Sequence, residues 1–175
     1  MVQHTVSAFP FSVEEAPVDT VASINACQYL RAEHRDIESL CARLAVAAVG
    51  ARGAVASSLR RALEIHCQLE YDIFYPSLRG MPGLDDLLDR ACDEHAEADA
   101  AVQQLEAMPP HDPDFPHCAR LLTENLRQHF HDEEETLFTG ARRAGVDLAG
   151  VGEELARRKA ELVGQPGGLE LAPAG

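Results

Sequence analysis

The sequence predicts an all-α protein: an up-down-up-down antiparallel four-helix bundle with an N-terminal arm and a short C-terminal fifth helix. Three observations favour this fold. The 175 residues are rich in Ala, Leu, Glu and Arg, which are helix formers, whereas aromatic residues make up only 5% and Trp is absent. Breaks rich in Gly and Pro divide the chain into four long segments. Each of these segments carries a histidine near its middle.

The breaks define the expected elements in order. Residues 1–18 contain two prolines and no helical period, which predicts an extended N-terminal arm. The bundle is expected over residues 19–145, and Asp19 or Thr20 is the predicted N-cap of its first helix. Because the loops between the helices are short, consecutive helices should pack antiparallel. The four helices are expected at about residues 20–50, 54–76, 84–108 and 114–143.

The chain beyond the bundle is predicted to form a shorter element. After Gly145 ends the fourth helix, an accessory amphipathic helix is expected over residues 146–163, lying against the side or the end of the bundle. Residues 164–175 are rich in Gly and Pro and are predicted to form a flexible tail.

Charge and hydropathy exclude several classes of protein. With 29 acidic and 15 basic residues the formal net charge is −14, so the chain should repel phosphate backbones, and no nucleic-acid partner is expected. Charged residues interrupt every apolar stretch short of a membrane span, so no membrane partner is expected either. The N-terminus does not resemble a secretory signal, and the five cysteines lack paired spacing, which predicts a cytoplasmic protein with free thiols.

Four histidines are predicted to lie at one height in the bundle. Each is about 14 to 17 residues from the turns that join its helix to the next, so antiparallel packing at about 1.5 Å per residue brings them together. A carboxylate follows each histidine at i+4, on the same helix face. The four pairs are His34 with Glu38, His66 with Glu70, His95 with Asp99, and His129 with Glu133.

Apolar neighbours indicate that this layer faces the core. Leu59 and Leu63, for example, precede His66 by two turns and one turn of helix. Solvent-exposed pairs of histidine and acid would explain one or two of the four pairs, but not the whole set with its apolar flanks. A buried layer of unpaired carboxylates costs much free energy without cations, so the sequence predicts a metal site.

The ligand types indicate which metals fit. Four imidazoles with several carboxylates exceed the needs of one tetrahedral zinc ion, and no thiolate lies at an i+4 position. A mixed nitrogen and oxygen set of this size suits a non-haem di-iron or di-manganese centre. Ferritin-like proteins use the opposite order, with the acid preceding the histidine at i+3.

Four motifs in order resemble the hemerythrin-like (HHE cation-binding) family. The resemblance covers residues 22–140. The family pattern has a lone His on the first helix and H-x-x-x-E followed by an aromatic residue and proline on the second. It continues with E-H on the third helix and H-x-x-x-E on the fourth. The matching segments are AEHRDIE around His34, HCQLEYDIFYP from His66, DEH ending at His95, and HFHDEEETLF from His129.

The resemblance implies a cofactor and a ligand set. The cofactor would be two iron ions joined by an oxo or hydroxo bridge, and manganese is the less favoured alternative. Glu70 and Glu133 would be bridging carboxylates. The terminal ligands would be His34, His66, His95 and His129.

One departure from the family pattern concerns the residue after His95. Oxygen-carrying members use five histidines, but here Asp99 occupies the i+4 position and no other core histidine is evident. Either one iron has an open or water-filled position, or Asp99 or Glu38 supplies a ligand. Hydrogen bonding from these acids to a histidine N–H is the alternative role. This departure argues against reversible oxygen carriage and favours redox reactivity.

These features favour a non-haem di-iron oxidoreductase. Its centre would react with dioxygen, peroxide or nitric oxide, as an oxidase, an oxygenase with an organic substrate, or a peroxide-removing enzyme. The alternatives are a non-catalytic protein that binds or senses oxygen, nitric oxide or iron, and an iron donor for repair of damaged iron centres. Sensors usually carry an output domain and repair proteins an extra cysteine-bearing domain, and neither is predicted in these 175 residues.

Several other side chains are expected to lie outside the site. Tyr75 is predicted to pack or to lie at the surface, although a tyrosine here would also suit proton donation. Cys92 is predicted to be a small core residue. His131 and Glu134 are predicted to lie on solvated faces of the fourth helix.

Overall fold

A computed structural model describes residues 24–164, and these residues form helices joined by short turns. One 3₁₀ turn, Val49–Ala51, precedes the second helix, and one π turn, Glu70–Phe74, follows it. The predicted arm at residues 1–18 lies outside the described residues, as does the predicted tail apart from Gly164. The α helices are α1 Ala26–Ala45, α2 Arg52–Leu69, α3 Tyr75–Leu78, α4 Asp85–Ala107, α5 Phe115–Glu135, α6 Leu137–Ala144 and α7 Leu148–Val163.

Four long helices form the predicted bundle. Helix α1 packs against α2 and α5, and α4 packs against the same two helices, so the order around the bundle is α1, α2, α4 and α5. Helix α7 is the predicted fifth helix, and it lies across α1 and α2. The predicted fold class is therefore confirmed. Within the described residues, no helix is both long and apolar enough to span a membrane.

The first helix begins later than the sequence predicts. Its N-cap is Asn25, whose side chain accepts a hydrogen bond from the Gln28 backbone at 3.1 Å, while the Gln28 side chain accepts one from the Asn25 backbone at 3.2 Å. The prediction of Asp19 or Thr20 as this N-cap is wrong. Neither residue has a Glu or Gln three positions later, so neither completes the reciprocal capping box.

The second helix is interrupted by the π turn. The backbone N–H of Tyr75 donates to the carbonyl oxygen of Glu70, five residues earlier, instead of to a residue four earlier. In a regular α-helix a residue at i+5 is rotated by about 140° from residue i. The wider π turn reduces that rotation, so Glu70 and Tyr75 share one side of the helix.

The fourth helix is also broken. Helix α5 ends at Glu135, and α6 begins after Thr136, whose ψ of −65° departs from the regular helix. Helix α6 then ends at Gly145 in the left-handed conformation (φ 73°), as the sequence predicts.

Two apolar clusters fill the core, one towards each end of the bundle. The first surrounds Phe74 and Phe138, and the second surrounds Leu59 and Phe115. The buried histidines and glutamates belong to neither apolar cluster. The fold therefore keeps a polar layer out of water inside an otherwise apolar core.

Candidate metal centre

The structure brings together the six residues that the sequence singles out as metal ligands. Each of them is at most 4% exposed. They come from all four bundle helices and from the π turn, and they form two overlapping groups in which one potential ligand atom from each residue lies within 4.8 Å of those from the others. One group is His66, Glu70, His95 and His129, and the other is His34, His66, Glu70 and Glu133.

Glu70 lies at the centre of the first group. Its Oε2 is 3.3 Å from Nε2 of His66 and 3.2 Å from Nε2 of His95. The Nε2 atoms of His95 and His129 are 2.8 Å apart. Two imidazoles therefore direct Nε2 towards Glu70, and the third directs Nε2 towards that of His95, which is the arrangement of donors around a cation.

Glu133 belongs to the second group and also lies close to His129 of the first group. Its Oε2 is 3.4 Å from Nε2 of His34 and 3.9 Å from Nε2 of His129. Because Glu133 and His129 are one turn apart on α5, regular helix geometry alone places both on the inner face. Each of the two carboxylates thus lies between histidines from different helices.

Several donor atoms in this layer have no hydrogen-bond partner. They include both ring nitrogens of His66, Nδ1 of His95, Nε2 of His34, Oε1 of Glu70 and Oε2 of Glu133. A buried polar atom without a partner costs roughly 1–3 kcal/mol. A bound cation would satisfy the inward-facing atoms, so the donor set fits a metal centre.

The titration behaviour of the layer follows from its burial. Burial and the neighbouring Glu133 raise the pKa of Glu70 well above its usual value. Burial and the neighbouring His129 lower the pKa of His95 to about 3, and burial lowers that of His66 as well. Burial acts to raise the pKa of Glu133, but its contacts with the histidines, above all that with His34 at 3.4 Å, lower it overall. Buried neutral imidazoles are the form that binds metals.

Two carboxylates outside the layer orient two of the histidines. Nδ1 of His129 lies 2.8 Å from Oε2 of Glu94, and Nδ1 of His34 lies 2.9 Å from Oε1 of Glu134, which also pairs with Arg31 at 2.8 Å. The hydrogen bond from His34 lowers the pKa of Glu134 to about 2, so its carboxylate stays ionised. Such partners fix the ring so that Nε2 points inward.

Neither of these roles of Glu94 and Glu134 is predicted from the sequence. The prediction of Glu134 on a solvated face is wrong, because its side chain is 27% exposed and reaches His34 on α1. In each case the signal was an acidic residue directly beside a predicted ligand, Glu94 before His95 and Glu134 after Glu133. One step along a helix turns the side chain towards the neighbouring helix.

Tyr75 is the third residue whose role was missed. Its side chain is buried, and its hydroxyl lies 3.1 Å from Oε2 of Glu70 and 2.9 Å from Oε1 of Glu133. Burial raises the pKa of Tyr75 well above its usual value, so the hydroxyl keeps its proton, and its one O–H hydrogen lies within hydrogen-bond distance of both carboxylates. Packing alone is therefore a wrong description of this residue.

The remaining candidates lie elsewhere. The side chain of Glu38 is 41% exposed, with Oε1 3.8 Å from Nε of Arg127. Asp99 is half-buried and accepts a hydrogen bond from Gln103 at 2.7 Å. Neither acid belongs to the two groups of potential ligands. His131 is exposed, as predicted.

Comparison with known proteins identifies the family. The family model described as the Hemerythrin HHE cation binding domain matches residues 25–141, a segment that contains all six of these residues. The chain belongs to the hemerythrin HHE cation-binding family. This hemerythrin-like domain also resembles the crystal structure of a hemerythrin HHE cation-binding domain-containing protein from Mycobacterium kansasii, with 25% identity and a TM-score of 0.72. The similarity covers 81% of this chain and 88% of that one.

A curated relative shares a smaller segment. The hemerythrin-like chain is 31% identical over 80 residues to a DNA nickase from Nostoc sp.. The match includes 46% of this chain, and the chain spans about a fifth (22%) of the length of the nickase. Family membership and the cluster of buried histidines and glutamates together support hemerythrin-like metal binding.

Proposed function

We propose that this hemerythrin-like domain is a non-haem di-iron protein that reacts with dioxygen, peroxide or nitric oxide. The observation that carries the proposal is the pair of overlapping groups of buried donor atoms, several of which lack any other partner. The ligands would be His34, His66, Glu70, His95, His129 and Glu133.

The number and type of donors favour two iron ions. Four imidazoles and two carboxylates exceed the needs of one four-coordinate ion, and a mixed nitrogen and oxygen set suits iron. Carboxylates bridge metals readily, and Glu70 and Glu133 each lie between histidines from different helices. These positions support both glutamates as bridging ligands.

The chain's own residues hold this site in place. The hydroxyl of Tyr75 lies within hydrogen-bond distance of Oε2 of Glu70 and Oε1 of Glu133 and links the two carboxylates, while Oε1 of Glu70 and Oε2 of Glu133 have no hydrogen-bond partner. Glu94 and Glu134 accept from Nδ1 of His129 and His34, so that Nε2 of each ring faces inward with its lone pair. When bound, the iron ions would supply electrons to a small oxidant.

Metal analysis of the anaerobically purified protein tests this proposal. We expect two iron ions per chain and a change in the optical spectrum on exposure to dioxygen, peroxide or nitric oxide. Irreversible oxidation or loss of peroxide supports the enzyme, whereas a stable, reversible oxygen adduct favours the binding alternative. Fewer than two metals per chain, or zinc alone, overturns the di-iron assignment.

A matched pair of variants tests the ligand set. His95→Ala should abolish the binuclear spectrum, because His95 is one of the buried donors. His131→Ala should leave it unchanged, because His131 is exposed on the outer side of α5. Equal loss in both variants would show that the inner face is wrongly assigned.

A further inference from the structure

A cavity of about 180 Å³ lies between α4 and α5 and reaches the metal layer. His129 is one of its buried lining residues, together with Ala98 and Leu126. Its polar lining comes from Glu94 and Glu97 on α4 and from Asn125 and Gln128 on α5. Glu97, Asn125 and Gln128 are exposed, so the cavity connects the surface of the bundle to a proposed ligand.

Other sides of the layer are covered. Helix α7 lies over α1 and α2, and the cavity beside His66 between α2 and α4 measures about 10 Å³, room for about one water. Between α1 and α5, Arg31 pairs with Glu134 above the ring of His34. Further along the α4–α5 groove, Arg90 bridges Glu94 and Asp132 and leaves a cavity of only about 10 Å³.

The exposure of the six proposed ligands agrees with this geometry. The side chain of His129 is 5% exposed, whereas those of His66 and Glu70 are completely buried and those of His34, His95 and Glu133 are 2% exposed. The most accessible proposed ligand is therefore the one that lines the larger cavity.

The outer part of this cavity is negatively charged. Glu94 is compensated, because its two oxygens face Arg90 at 2.9 Å and Nδ1 of His129 at 2.8 Å. Glu97 forms no ion pair with any residue in 24–164, so the charge of its carboxylate is uncompensated there. Asn125 and Gln128 add neutral amides that bind polar molecules of either sign.

We propose that this cavity is the entrance to the metal centre, and that Glu97 makes it favour cations and neutral molecules over anions. The inference rests on the proposed metal site and adds the route into it and the class of molecule admitted. A carboxylate at the mouth raises the local concentration of cations and lowers that of anions, while a neutral molecule is unaffected.

Reversing the charge at the mouth tests the selectivity. In Glu97→Lys at low ionic strength, Co²⁺ should load the metal-free protein about threefold to fivefold more slowly, and azide should bind the iron-loaded protein faster by a similar factor. The rate of reaction with hydrogen peroxide, which is neutral, should not change. Glu153→Lys is the matched control, because it makes the same charge change on exposed α7, across the bundle.

The two charged probes give a signature that altered folding does not produce. Opposite changes for Co²⁺ and azide in Glu97→Lys, both reduced by salt, support the proposal. Changes of the same sign for both probes, or equal effects of Glu153→Lys, overturn it.

Narrowing the cavity tests the route itself. Gln128→Trp should slow Co²⁺ loading, azide binding and the peroxide reaction several-fold, since a bulky side chain would fill the mouth. The control is Leu121→Trp, at a position that is already 42% exposed on α5 and does not line the cavity. Unchanged rates in Gln128→Trp overturn the entrance while the metal site stands. If the wild-type protein binds no Co²⁺, the metal site and the entrance are both overturned.

Discussion

The two halves of the polar layer are both buried but are supported differently. His34 and His129, the carboxylate-held pair, each direct Nδ1 at a glutamate outside the layer. His66 and His95, the packing-held pair, have no partner at Nδ1 among the described residues. Hydrogen bonds to ionised glutamates thus orient one pair, whereas the ring positions of the other depend on packing and on what Nε2 binds. Bound metal should therefore stabilise the ring orientations of the packing-held pair more than those of the carboxylate-held pair.

The largest effect is expected on metal content, when His66 is replaced. His66 is the member of the packing-held pair that belongs to both groups of potential ligands. His66→Ala takes one donor from each of the two groups, so it should reduce the metal content below two ions per chain. Atomic absorption on the purified protein measures this content directly. His131→Ala should retain the wild-type content, and full metal content in His66→Ala would show that this histidine is not a ligand.

The second effect is a pH dependence of the metal-free protein. The pKa of His95 is about 3 in the fold and about 6.5 in the unfolded chain, so only the unfolded state gains a proton between these values. The free energy of unfolding should therefore fall as the pH drops from about 6.5 to 3, by on the order of 4 kcal/mol from this residue.

Urea unfolding of the metal-free protein at several pH values measures this slope. The comparison is with metal-free His95→Gln, which cannot gain the proton and should show a smaller decrease over the same interval. If the free energy of unfolding depended on pH equally in the two proteins, the prediction would be contradicted.

A third, smaller effect concerns the carboxylate-held pair. Glu134→Gln replaces the ionised partner of His34 with a neutral amide, which should lower the affinity for metal by about tenfold to hundredfold while the fold is retained. Competition with a chelator measures the affinity. Glu124→Gln is the control, since Glu124 is an exposed α5 residue that pairs with Arg120. Equal affinity of both variants would remove the distinction between the two pairs.

The smallest effect should come from Tyr75, which joins the two halves through Glu70 and Glu133. Tyr75→Phe removes one buried hydroxyl and should lower the free energy of unfolding of the metal-free protein by about 1–3 kcal/mol. Metal binding should persist, since the six proposed ligands remain. Calorimetry of the metal-free and loaded variant tests this, and complete loss of metal would assign Tyr75 a larger role.

Much of the polar layer was predictable because a histidine followed by an acid at i+4 recurs on each bundle helix. Equal distances of His34, His66, His95 and His129 from the turns predicted one layer, and i+4 spacing predicted that Glu70 and Glu133 lie beside His66 and His129. Both inferences use only the regular geometry of helices.

The missed features depend on departures from that geometry or on contacts between helices. Tyr75 reaches the carboxylates only because the backbone forms a π turn, and no residue type in Glu70–Phe74 predicts such a turn. Glu94 and Glu134 find their histidines on neighbouring helices, at distances that the relative rotation of two helices determines. The N-cap at Asn25 was missed although its capping box was visible in the sequence.

The π turn also has a consequence for residue counting. A π turn is an α-helix with one additional residue in a turn, so the chain from Tyr75 onward is offset by one position from the helix that carries Glu70. A relative lacking one residue in this segment would keep the H-x-x-x-E motif intact, yet its tyrosine would face another direction. In this chain the length of the segment after the H-x-x-x-E motif, as well as its composition, therefore decides whether the Tyr75 phenol meets the carboxylates.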